Sequence, residues 1–389
     1  MRVHFIAIGG SAMHNLAIAL AKKGYVVTGS DDDIFDPAKS RLQQHGILPP
    51  AMGWHPERIT ADIDAVVLGM HAHADNPELL RAQQLGLTIY SYPEYLYEQS
   101  KDKTRIVVGG SHGKTTITAM ILHALRHAGM ETDYMVGAQL EGFDVMVRLG
   151  HTAKHMVIEG DEYLTSPLDH RSKFLLYHPN IAIISGIEWD HVNVFPTFES
   201  YLATFSKFIE AIEPGGYLIY CADDDNVVRV VNGESHHDLT LLPYHVPRHD
   251  WMEDGTMRVL APDGTAHALQ VFGQHNMQNL MAARHVCQVL GMSDGLFFQA
   301  METFKGASKR LELVRKVDGS AFYKDFAHAP SKLRATVAAM KEAYPRRTLV
   351  ACMELHTYSS LTRNFCRTTR AAWTLPTSRW FTITPTPWL

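Results

Sequence analysis

The segment with the clearest chemical potential is Gly110-Ser111-His112-Gly113-Lys114-Thr115-Thr116. An apolar strand pattern at Thr104–Val108 precedes it, and a helical pattern of apolar residues follows it. In such a context backbone N–H groups and the positive end of a helix bind phosphate, the lysine neutralises β- and γ-phosphate oxygens, and the first threonine reaches Mg²⁺. The spacing G-x-x-G-K-T is shorter than the usual G-x-x-x-x-G-K-T. The segment predicts a triphosphate-binding loop; the alternative is a glycine-rich turn with an exposed lysine.

A second candidate site is the acidic turn Glu159-Gly160-Asp161-Glu162, which follows the strand pattern His155–Ile158. Closely spaced carboxylates repel one another unless a cation or a basic partner lies nearby. Carboxylate oxygens are also good ligands for hard cations such as Mg²⁺. The turn therefore predicts a metal site, and a solvated acidic loop is the alternative.

A third chemical segment, Glu188-Trp189-Asp190-His191, follows the strand pattern Ile181–Ile187. In open α/β sheets, ligands bind at the carboxyl ends of the strands. We therefore expect the phosphate loop, the acidic turn and this segment to meet in one Mg–ATP site. A lone histidine in a chain with 23 histidines is more often structural, so the interpretation of His191 depends on this convergence.

The N-terminal segment carries a weaker phosphate-binding pattern. A strand pattern at Val3–Ile8 runs into Gly9-Gly10-Ser11, a helical pattern follows, and a second strand pattern, Tyr25–Thr28, ends near Asp31. Glycines after a first strand and an acid after a second are typical of dinucleotide-type folds. Ala7 and Ala12 stand where glycines would strengthen the pattern, so a tight structural turn remains an alternative.

Composition limits the class of protein. The chain has 389 residues, of which 46% are hydrophobic and 20% charged, and this balance is typical of a folded multi-domain protein. The net charge of −5 does not indicate binding to nucleic acids or to anionic membranes. The four cysteines are scattered, and no apolar run reaches the ~20 residues that a membrane helix needs. We therefore expect a cytoplasmic α/β protein.

The patterns divide the chain into successive α/β regions. The first 100 residues follow a βαβ pattern, and a polar linker is expected at Gln99–Lys103. A second region adds a strand at Tyr217–Cys221 and a helix at Asn279–Leu290. A junction near Lys305 precedes a third region, with strands expected at Ala321–Lys324 and Thr348–Met353.

The order of these motifs resembles the Mur ligase family, ATP-dependent enzymes that form amide bonds in peptidoglycan assembly. The resemblance rests on the three segments above together with Gly273-Gln-His-Asn-Met-Gln-Asn279 and Asp325-Phe-Ala-His-Ala-Pro330. It extends from Met1 to about Phe365. The N-terminal Ile8-Gly-Gly-Ser-Ala-Met13 is similar to the branch whose first domain binds UDP-N-acetylmuramate.

The resemblance implies an α/β protein with the three-domain Mur ligase architecture. A Rossmann-like domain that binds UDP-N-acetylmuramate is expected at residues 1–100, and a central P-loop ATPase-type domain at 101–304. An incomplete C-terminal Rossmann-like domain is expected at 305–365, followed by an aberrant tail at 366–389.

The resemblance also implies roles for individual residues. Lys114 would contact the β- and γ-phosphates, Thr115 and Glu159 would hold magnesium, and His191 would serve a second magnesium. Arg310 would reach the phosphates from the third domain, and His328 would face the reacting centre. The catalytic set is then Lys114, Glu159, His191, Arg310 and His328, and the metal set is Thr115, Glu159 and His191.

The remaining implied roles concern nucleotide recognition. Asp325 would hold the ribose of ATP or order its own loop. The ATP-binding set is Gly110, Ser111, His112, Gly113, Lys114, Thr115, Thr116, His275, Asn276, Asn279, Arg310 and Asp325. The UDP-sugar set is Gly9, Gly10, Ser11, Ser30, Asp31 and His71, of which His71 is equally well explained as a plain loop histidine.

The implied reaction joins the lactoyl carboxylate of UDP-N-acetylmuramate to an amine through an acyl phosphate, with ATP and Mg²⁺ as cofactors. Asp169-His-Arg-Ser-Lys-Phe174, with Tyr177 and Pro179, resembles the peptide-adding branch of the family more than the L-alanine-adding branch, which implies the peptide L-Ala-γ-D-Glu-meso-diaminopimelate as the amine. L-Alanine is the alternative amine. A nucleotide-binding protein with a broken catalytic domain is an alternative of a different class.

The segment Cys366–Leu389 departs from every pattern before it. It holds three of the six tryptophans, seven threonines and no acid, and it shows neither strand alternation nor helical periodicity. Back-translation into the neighbouring frame gives a sequence similar to the family's native continuation. We therefore expect a frameshift near residue 366; a divergent tail is the alternative, and the encoding DNA decides between them.

Overall fold

The structure is a computed structural model of the chain. It describes residues 1–389 except 71, 139–142, 144, 167, 191–193, 234–237, 253–255, 308–309, 356–368, 370–377 and 384–389. The described residues form three successive α/β regions, in agreement with the α/β class expected from the sequence. Among these residues there is no helix with both the length and the apolar character that a membrane span requires.

The N-terminal region is a four-stranded parallel sheet of order β2-β1-β3-β4. Its elements are β1 Arg2–Ile6, α1 Ser11–Lys22, β2 Val26–Ser30, α2 Ala38–Gln44, a 3₁₀ turn Pro56–Arg58, β3 Ala65–Leu68, α3 Pro77–Gln84, β4 Ile89–Ser91 and α4 Tyr92–Glu98. Local sequence sets several boundaries. The Asn76 side chain caps α3, and Ser91 with Glu94 forms a capping box on α4.

The first strand ends two residues earlier than the sequence pattern predicted. Ala7 has a φ of 67°, in the left-handed region that L-residues rarely occupy. The backbone therefore turns out of the strand at Ala7, although Ile8 still donates its N–H to the carbonyl of Ser30. The apolar character of Ile8 made it look like part of the strand, whereas its side chain is a buried core residue of the turn.

The central region contains a seven-stranded sheet of order β11-β10-β9-β5-β8-β6-β7, in which only the β6–β7 pair is antiparallel. Its elements are β5 Thr104–Gly109, α5 Lys114–His127, β6 Thr132–Met135, β7 Val147–Arg148, β8 His155–Glu159, a 3₁₀ turn Lys173–Tyr177, β9 Ile181–Ile184, α6 Phe198–Glu210, β10 Tyr217–Cys221, α7 Asp225–Gly233 and β11 Thr240–Tyr244. Strand β5 thus lies between β9 and β8, which places the three chemical segments on neighbouring strands.

A small antiparallel sheet and two helices complete the central region. They are β12 His249–Trp251, β13 Met257–Leu260, β14 Ala266–Leu269, α8 Gln274–Val289 and α9 Asp294–Met301. Helix α8 packs on α5, so the segment that begins at Gly273 comes close to the phosphate loop. The N-terminal and central regions share one continuous apolar core, which includes Leu16 of α1, Val147 of β7 and Phe205 of α6.

The third region is small and largely exposed. It consists of the antiparallel hairpin β15 Glu312–Val317 and β16 Ser320–Lys324, the helix α10 Pro330–Ala343, and the parallel pair β17 Val350–Leu355 and β18 Ser378–Ile383. Strand β15 was not predicted. Large apolar side chains are exposed on this region at Leu313, Val314, Phe322 and Val350.

The prediction that the tail contains no strand pattern was wrong for residues 378–383. These residues form β18, which pairs in register with all six residues of β17. Aromatic and β-branched residues, here Trp380, Phe381, Thr382 and Ile383, favour strands even without polar–apolar alternation. The frameshift itself stays a prediction.

Candidate functional site

The loop Gly110–Gly113 connects β5 to α5 and opens the helix at Lys114. Gly113 caps α5 with a φ of 80°, and a Cβ at this position would lie 2.4 Å from Oδ1 of Asn279. A Cβ at Gly110 would lie 2.2 Å from the Ser185 hydroxyl. Only glycine fits at either place, so these two residues allow the tight turn that leads into the N-terminus of α5, where phosphate can bind.

Lys114 is surrounded by acceptors. Its Nζ donates to the Gly110 carbonyl at 2.6 Å and to Oε2 of Glu162 at 2.7 Å. Burial works to lower the pKa of Lys114, but the carboxylates of Glu162, Asp161 and Glu159 outweigh it and raise that pKa above its usual value. Lys114 is therefore a cation at the N-terminus of α5, and its expected contact with phosphate stays a prediction.

Thr115 and Glu159 come together as expected from the adjacent strand ends. The Thr115 hydroxyl donates to Oε1 of Glu159 at 2.8 Å, and the Gly137 N–H donates to Oε2 at 2.9 Å. This hydroxyl–carboxylate pair offers hard oxygen donors that suit Mg²⁺. Within the described part of the chain, no cluster of three His, Cys, Asp or Glu side chains is arranged for a metal, so the phosphates of a nucleotide would have to supply further ligands.

The strand-end segment after β9 also faces this site. Glu188 and Asp190 line the same cavity as the phosphate loop, and the Glu188 N–H donates to the Ser111 hydroxyl at 2.8 Å. His191 lies outside the described residues, so its expected roles as a catalytic and metal-binding residue stay predictions.

Helix α8 brings His275, Asn276 and Asn279 to the opposite wall of the cavity. Asn276 donates to the Phe272 carbonyl at 2.8 Å, which fixes the first turn of the helix. Burial lowers the pKa of His275 to about 4, against a partial opposing effect of Asp325. His275 is therefore a neutral imidazole at neutral pH.

The third region closes the cavity with residues from two loops and α10. The guanidinium of Arg310 lies over the ring of Phe326 at 5.0 Å from its centre. Asp325 accepts the Leu311 N–H at 3.0 Å and the Thr336 hydroxyl at 2.7 Å. These contacts hold Asp325 within its own region of the chain, and its expected role toward ATP stays a prediction.

His328 has a defined tautomer in this arrangement. Its Nδ1 lies 3.0 Å from the Phe326 carbonyl, which can only accept, so Nδ1 carries the proton. Nε2 then accepts from Nζ of Lys332 at 3.3 Å. Burial lowers the pKa of His328, and the charge of Lys332 adds to this effect.

One cavity of about 400 Å³ unites these parts. Its lining includes most of the residues expected to bind ATP or to act in catalysis: Ser111, His112, Gly113, Lys114, Thr115, Thr116, Glu159, His275, Asn276, Asn279, Arg310, Asp325 and His328. Gly110 is not part of the lining, but its carbonyl holds Lys114. The convergence that the sequence predicted is therefore present in the fold.

The expected UDP-sugar residues are only partly brought together. The Gly9 N–H donates to Oδ2 of Asp31 at 2.7 Å, and Gly10 and Ser11 are exposed at the start of α1. Burial raises the pKa of Asp31. Ser30, by contrast, is 1% exposed, and its hydroxyl donates to the buried carboxylate of Glu78. Its side chain is therefore a buried structural group, and its expected contact with the UDP-sugar stays a prediction. His71 lies outside the described residues.

Sequence reasoning did not assign roles to several residues of the site. Glu162 pairs with Lys114, Tyr201 contacts Glu162, and Lys332 lines the cavity together with Asp190. The acidic turn and the segment after β9 had drawn attention to Glu162 and Asp190 without a role. Tyr201 and Lys332 lie in helices with amphipathic patterns. Such a pattern explains a tyrosine or a lysine as a structural residue as well as it explains a residue of the site.

A largely parallel sheet with a glycine-rich, lysine-bearing loop at its centre, and with cationic side chains from a following region beside that loop, is the arrangement typical of nucleotide-binding α/β proteins. Residues 2–104 match the model of the Mur ligase family catalytic domain, and residues 108–287 match the Mur ligase middle domain. The UDP-N-acetylmuramate–L-alanine ligase of Carboxydothermus hydrogenoformans is 32% identical over 374 residues, covering 92% of this chain and 77% of that protein.

Solved structures agree. The UDP-N-acetylmuramate:L-alanyl-γ-D-glutamyl-meso-diaminopimelate ligase from Neisseria meningitides matches with a TM-score of 0.69 and 26% identity, covering 78% of this chain and 98% of that one. The UDP-N-acetylmuramate–alanine ligase MurC from Thermotoga maritima matches the fold with a TM-score of 0.72 at 20% identity, covering 99% and 91%. The chain belongs to the Mur ligase family, whose members are ATP-dependent ligases that form carbon–nitrogen bonds between an acid and an amino acid.

Proposed function

We propose that this chain joins the lactoyl carboxylate of UDP-N-acetylmuramate to the amine of the peptide L-Ala-γ-D-Glu-meso-diaminopimelate, using ATP and Mg²⁺. The observation that carries the proposal is the cavity in which Lys114, Arg310 and Lys332 meet the Thr115–Glu159 pair. Three cationic side chains around one cavity favour a polyanionic ligand such as a triphosphate.

The chemistry follows from the poor reactivity of a carboxylate. Its oxygen attacks the γ-phosphorus of ATP, ADP leaves, and an acyl phosphate results. The neutral amine then attacks the acyl carbon, inorganic phosphate leaves, and the proton lost from nitrogen passes to a base or to water. Lys114 and Arg310 stabilise the negative charge that develops on the transferring group, which is usually the dominant contribution in phosphoryl transfer.

Other groups of this chain position and protect the reactants. Mg²⁺ bound through Thr115 and Glu159 would supply further positive charge to the phosphate oxygens. Nε2 of His328 has a free lone pair whenever Lys332 moves away, so it is a candidate acceptor for the proton of the amine. The third region lines one side of the cavity, and its closer approach in the loaded enzyme would keep an acyl phosphate away from water.

The UDP-sugar is proposed to bind at the N-terminal sheet. Gly10 and Ser11 offer backbone N–H groups at the start of α1, and Gly9 keeps this loop in place by donating its N–H to Asp31. The first domain shares a continuous core with the central sheet, which supports a fixed distance between the two ligands. For Ser30 and His71, a role in UDP-sugar binding is supported only by the family resemblance.

The identity of the amine separates two candidates. The segment Asp169–Phe174 resembles that of peptide-adding ligases, and its Arg171 joins Glu94 of α4 to Asp169 at 2.8 and 2.7 Å. This pairing places the segment between the N-terminal and central regions, beside the acidic turn. L-Alanine is the second candidate, because the curated relatives that match the chain are named UDP-N-acetylmuramate–L-alanine ligases.

The test is an ADP-release assay on the purified 389-residue chain with UDP-N-acetylmuramate, ATP and Mg²⁺. Turnover that depends on the tripeptide, with a product of the corresponding mass, supports the proposal. Turnover with L-alanine alone supports the second candidate. Nucleotide binding without turnover under either amine supports a nucleotide-binding protein with a broken catalytic domain. Lys114→Met serves as the control for contaminating ATPase activity.

A further inference from the structure

A fully buried tyrosine lies beneath the phosphate loop. Tyr201 of α6 is 0% exposed, and its hydroxyl lies 2.9 Å from the hydroxyl of Ser111 and 3.0 Å from Oε1 of Glu162. The rings of Phe195 and Phe205 meet it edge-on, with centres 5.2 and 5.3 Å away. The ring is therefore fixed, and its hydroxyl has a defined position between the loop and the acidic turn.

The direction of each hydrogen bond follows from donor and acceptor chemistry. Glu162 can only accept while it is ionised, so the Tyr201 hydroxyl donates to it. The Ser111 hydroxyl then donates to the Tyr201 oxygen, and it accepts the Glu188 N–H at 2.8 Å. The other oxygen of Glu162 accepts from Nζ of Lys114 at 2.7 Å. These four bonds form one chain from the backbone after β9 to the phosphate-loop lysine.

The Tyr201 hydroxyl stays a hydrogen-bond donor at neutral pH. Burial raises the pKa of Tyr201 far above neutrality, and the charge of Glu162 adds to this effect, so the hydroxyl keeps its proton. The side chain of Glu162 is 1% exposed, so water does not replace a lost donor freely.

We propose that Tyr201 is a positioning residue for ATP-dependent ligation: it orients Glu162, and through Glu162 it places the ammonium of Lys114 for the transferring phosphate. This inference rests on the proposed nucleotide chemistry of the site. Phosphate and Glu162 compete for the same ammonium group, so the orientation of Glu162 decides how readily Lys114 moves from the carboxylate to the γ-phosphate. Ser111 belongs to the phosphate loop and accepts the Glu188 N–H, so it also couples the position of that loop to the segment after β9.

The substitution Tyr201→Phe removes one hydroxyl and keeps the packed ring. We expect kcat for ADP release to fall about tenfold, the effect of losing a hydrogen bond to a charged group. KM for the amine stays unchanged, because the hydroxyl is buried below the loop. Tyr95→Phe is the matched control: the Tyr95 hydroxyl is also buried but has no hydrogen-bond partner among the described residues, so its loss leaves kcat unchanged.

A double-mutant cycle separates positioning from simple destabilisation. If Tyr201 acts through Glu162, Tyr201→Phe has little further effect on nucleotide affinity or kcat in the Glu162→Gln background. Equal kcat for wild type and Tyr201→Phe overturns the inference, as does full additivity of the two substitutions. A wild-type chain that binds no ATP analogue overturns the proposed function as well, whereas binding and turnover with an additive cycle overturn the role of Tyr201 alone.

Discussion

Nζ of Lys332 lies 3.4 Å from Oδ2 of Asp190, so that a helix of the third region is tied to the segment after β9 across the nucleotide cavity. Burial lowers the pKa of Lys332, Asp190 opposes this shift, and the nearby charge of Lys114 adds to it. Two ammonium groups in one cavity repel each other until an anion binds between them. On the proposed function, a bound triphosphate would attract both ammonium groups and so couple nucleotide binding to the position of the third region.

This relationship predicts the effect of Lys332→Ala. We expect the affinity for ATP to fall about fivefold to tenfold, since the variant removes one of the cavity's cations, a loss of about 1–1.4 kcal/mol. The melting temperature changes little, because a partly exposed ion pair contributes only about 0–1 kcal/mol to stability. Titration with a non-hydrolysable ATP analogue measures the affinity. Lys316→Ala, an exposed lysine on β15, is the control; equal losses in both variants would contradict a specific role.

From the Lys114–Glu162 ion pair we expect that a second substitution restores stability without restoring activity. Lys114→Met leaves a nearly buried carboxylate without its cation, which typically costs about 3–5 kcal/mol. The variant is also expected to lose turnover by at least about 100-fold. In Lys114→Met/Glu162→Gln the buried charge is gone, so the free energy of unfolding recovers while turnover does not. Chemical denaturation and ADP release measure the two effects; an inactive single variant of wild-type stability would rule out the proposed pairing.

The general position of the site was predictable from the sequence, because strand patterns and their following residues are local. The patterns at Thr104–Val108, His155–Ile158 and Ile181–Ile187 correspond to β5, β8 and β9, and these strands are neighbours in the sheet. Ligand-binding residues at the ends of adjacent parallel strands must then converge.

The contacts inside the site were not predictable in the same way. Tyr201 follows Glu162 by 39 residues, and nothing in its helical pattern distinguishes a hydrogen-bonded tyrosine from an ordinary core residue. Ser30 illustrates the reverse case. The family resemblance implied a ligand contact for Ser30, the last residue of β2, but its hydroxyl donates to the buried carboxylate of Glu78, 48 residues away. Long-range pairing of this kind requires the fold.

Ala7 and Ala12 both replace expected glycines, and the structure distinguishes them. Ala7 has a φ of 67°, whereas Ala12 lies within α1. A non-glycine residue in the left-handed region costs about 1–3 kcal/mol, so Ala7→Gly is expected to raise the free energy of unfolding by about 0.5–1 kcal/mol after the entropy of glycine is counted. Ala12→Gly is expected to lower it by up to about 1 kcal/mol. Thermal unfolding of both variants measures the difference, and shifts of the same sign would contradict the strain at Ala7.

His275 predicts a loss of stability in mild acid. Burial lowers its pKa to about 4 in the folded chain, against 6.5 when it is exposed. Between these values the unfolded chain binds the extra proton, so the free energy of unfolding falls as the pH decreases from about 6.5 to about 4, by at most about 1.4 kcal/mol per pH unit. His275→Gln has no such group, so its denaturation midpoint should depend less steeply on pH across that window. Parallel pH profiles for wild type and variant would show that His275 is accessible to protons in the folded state.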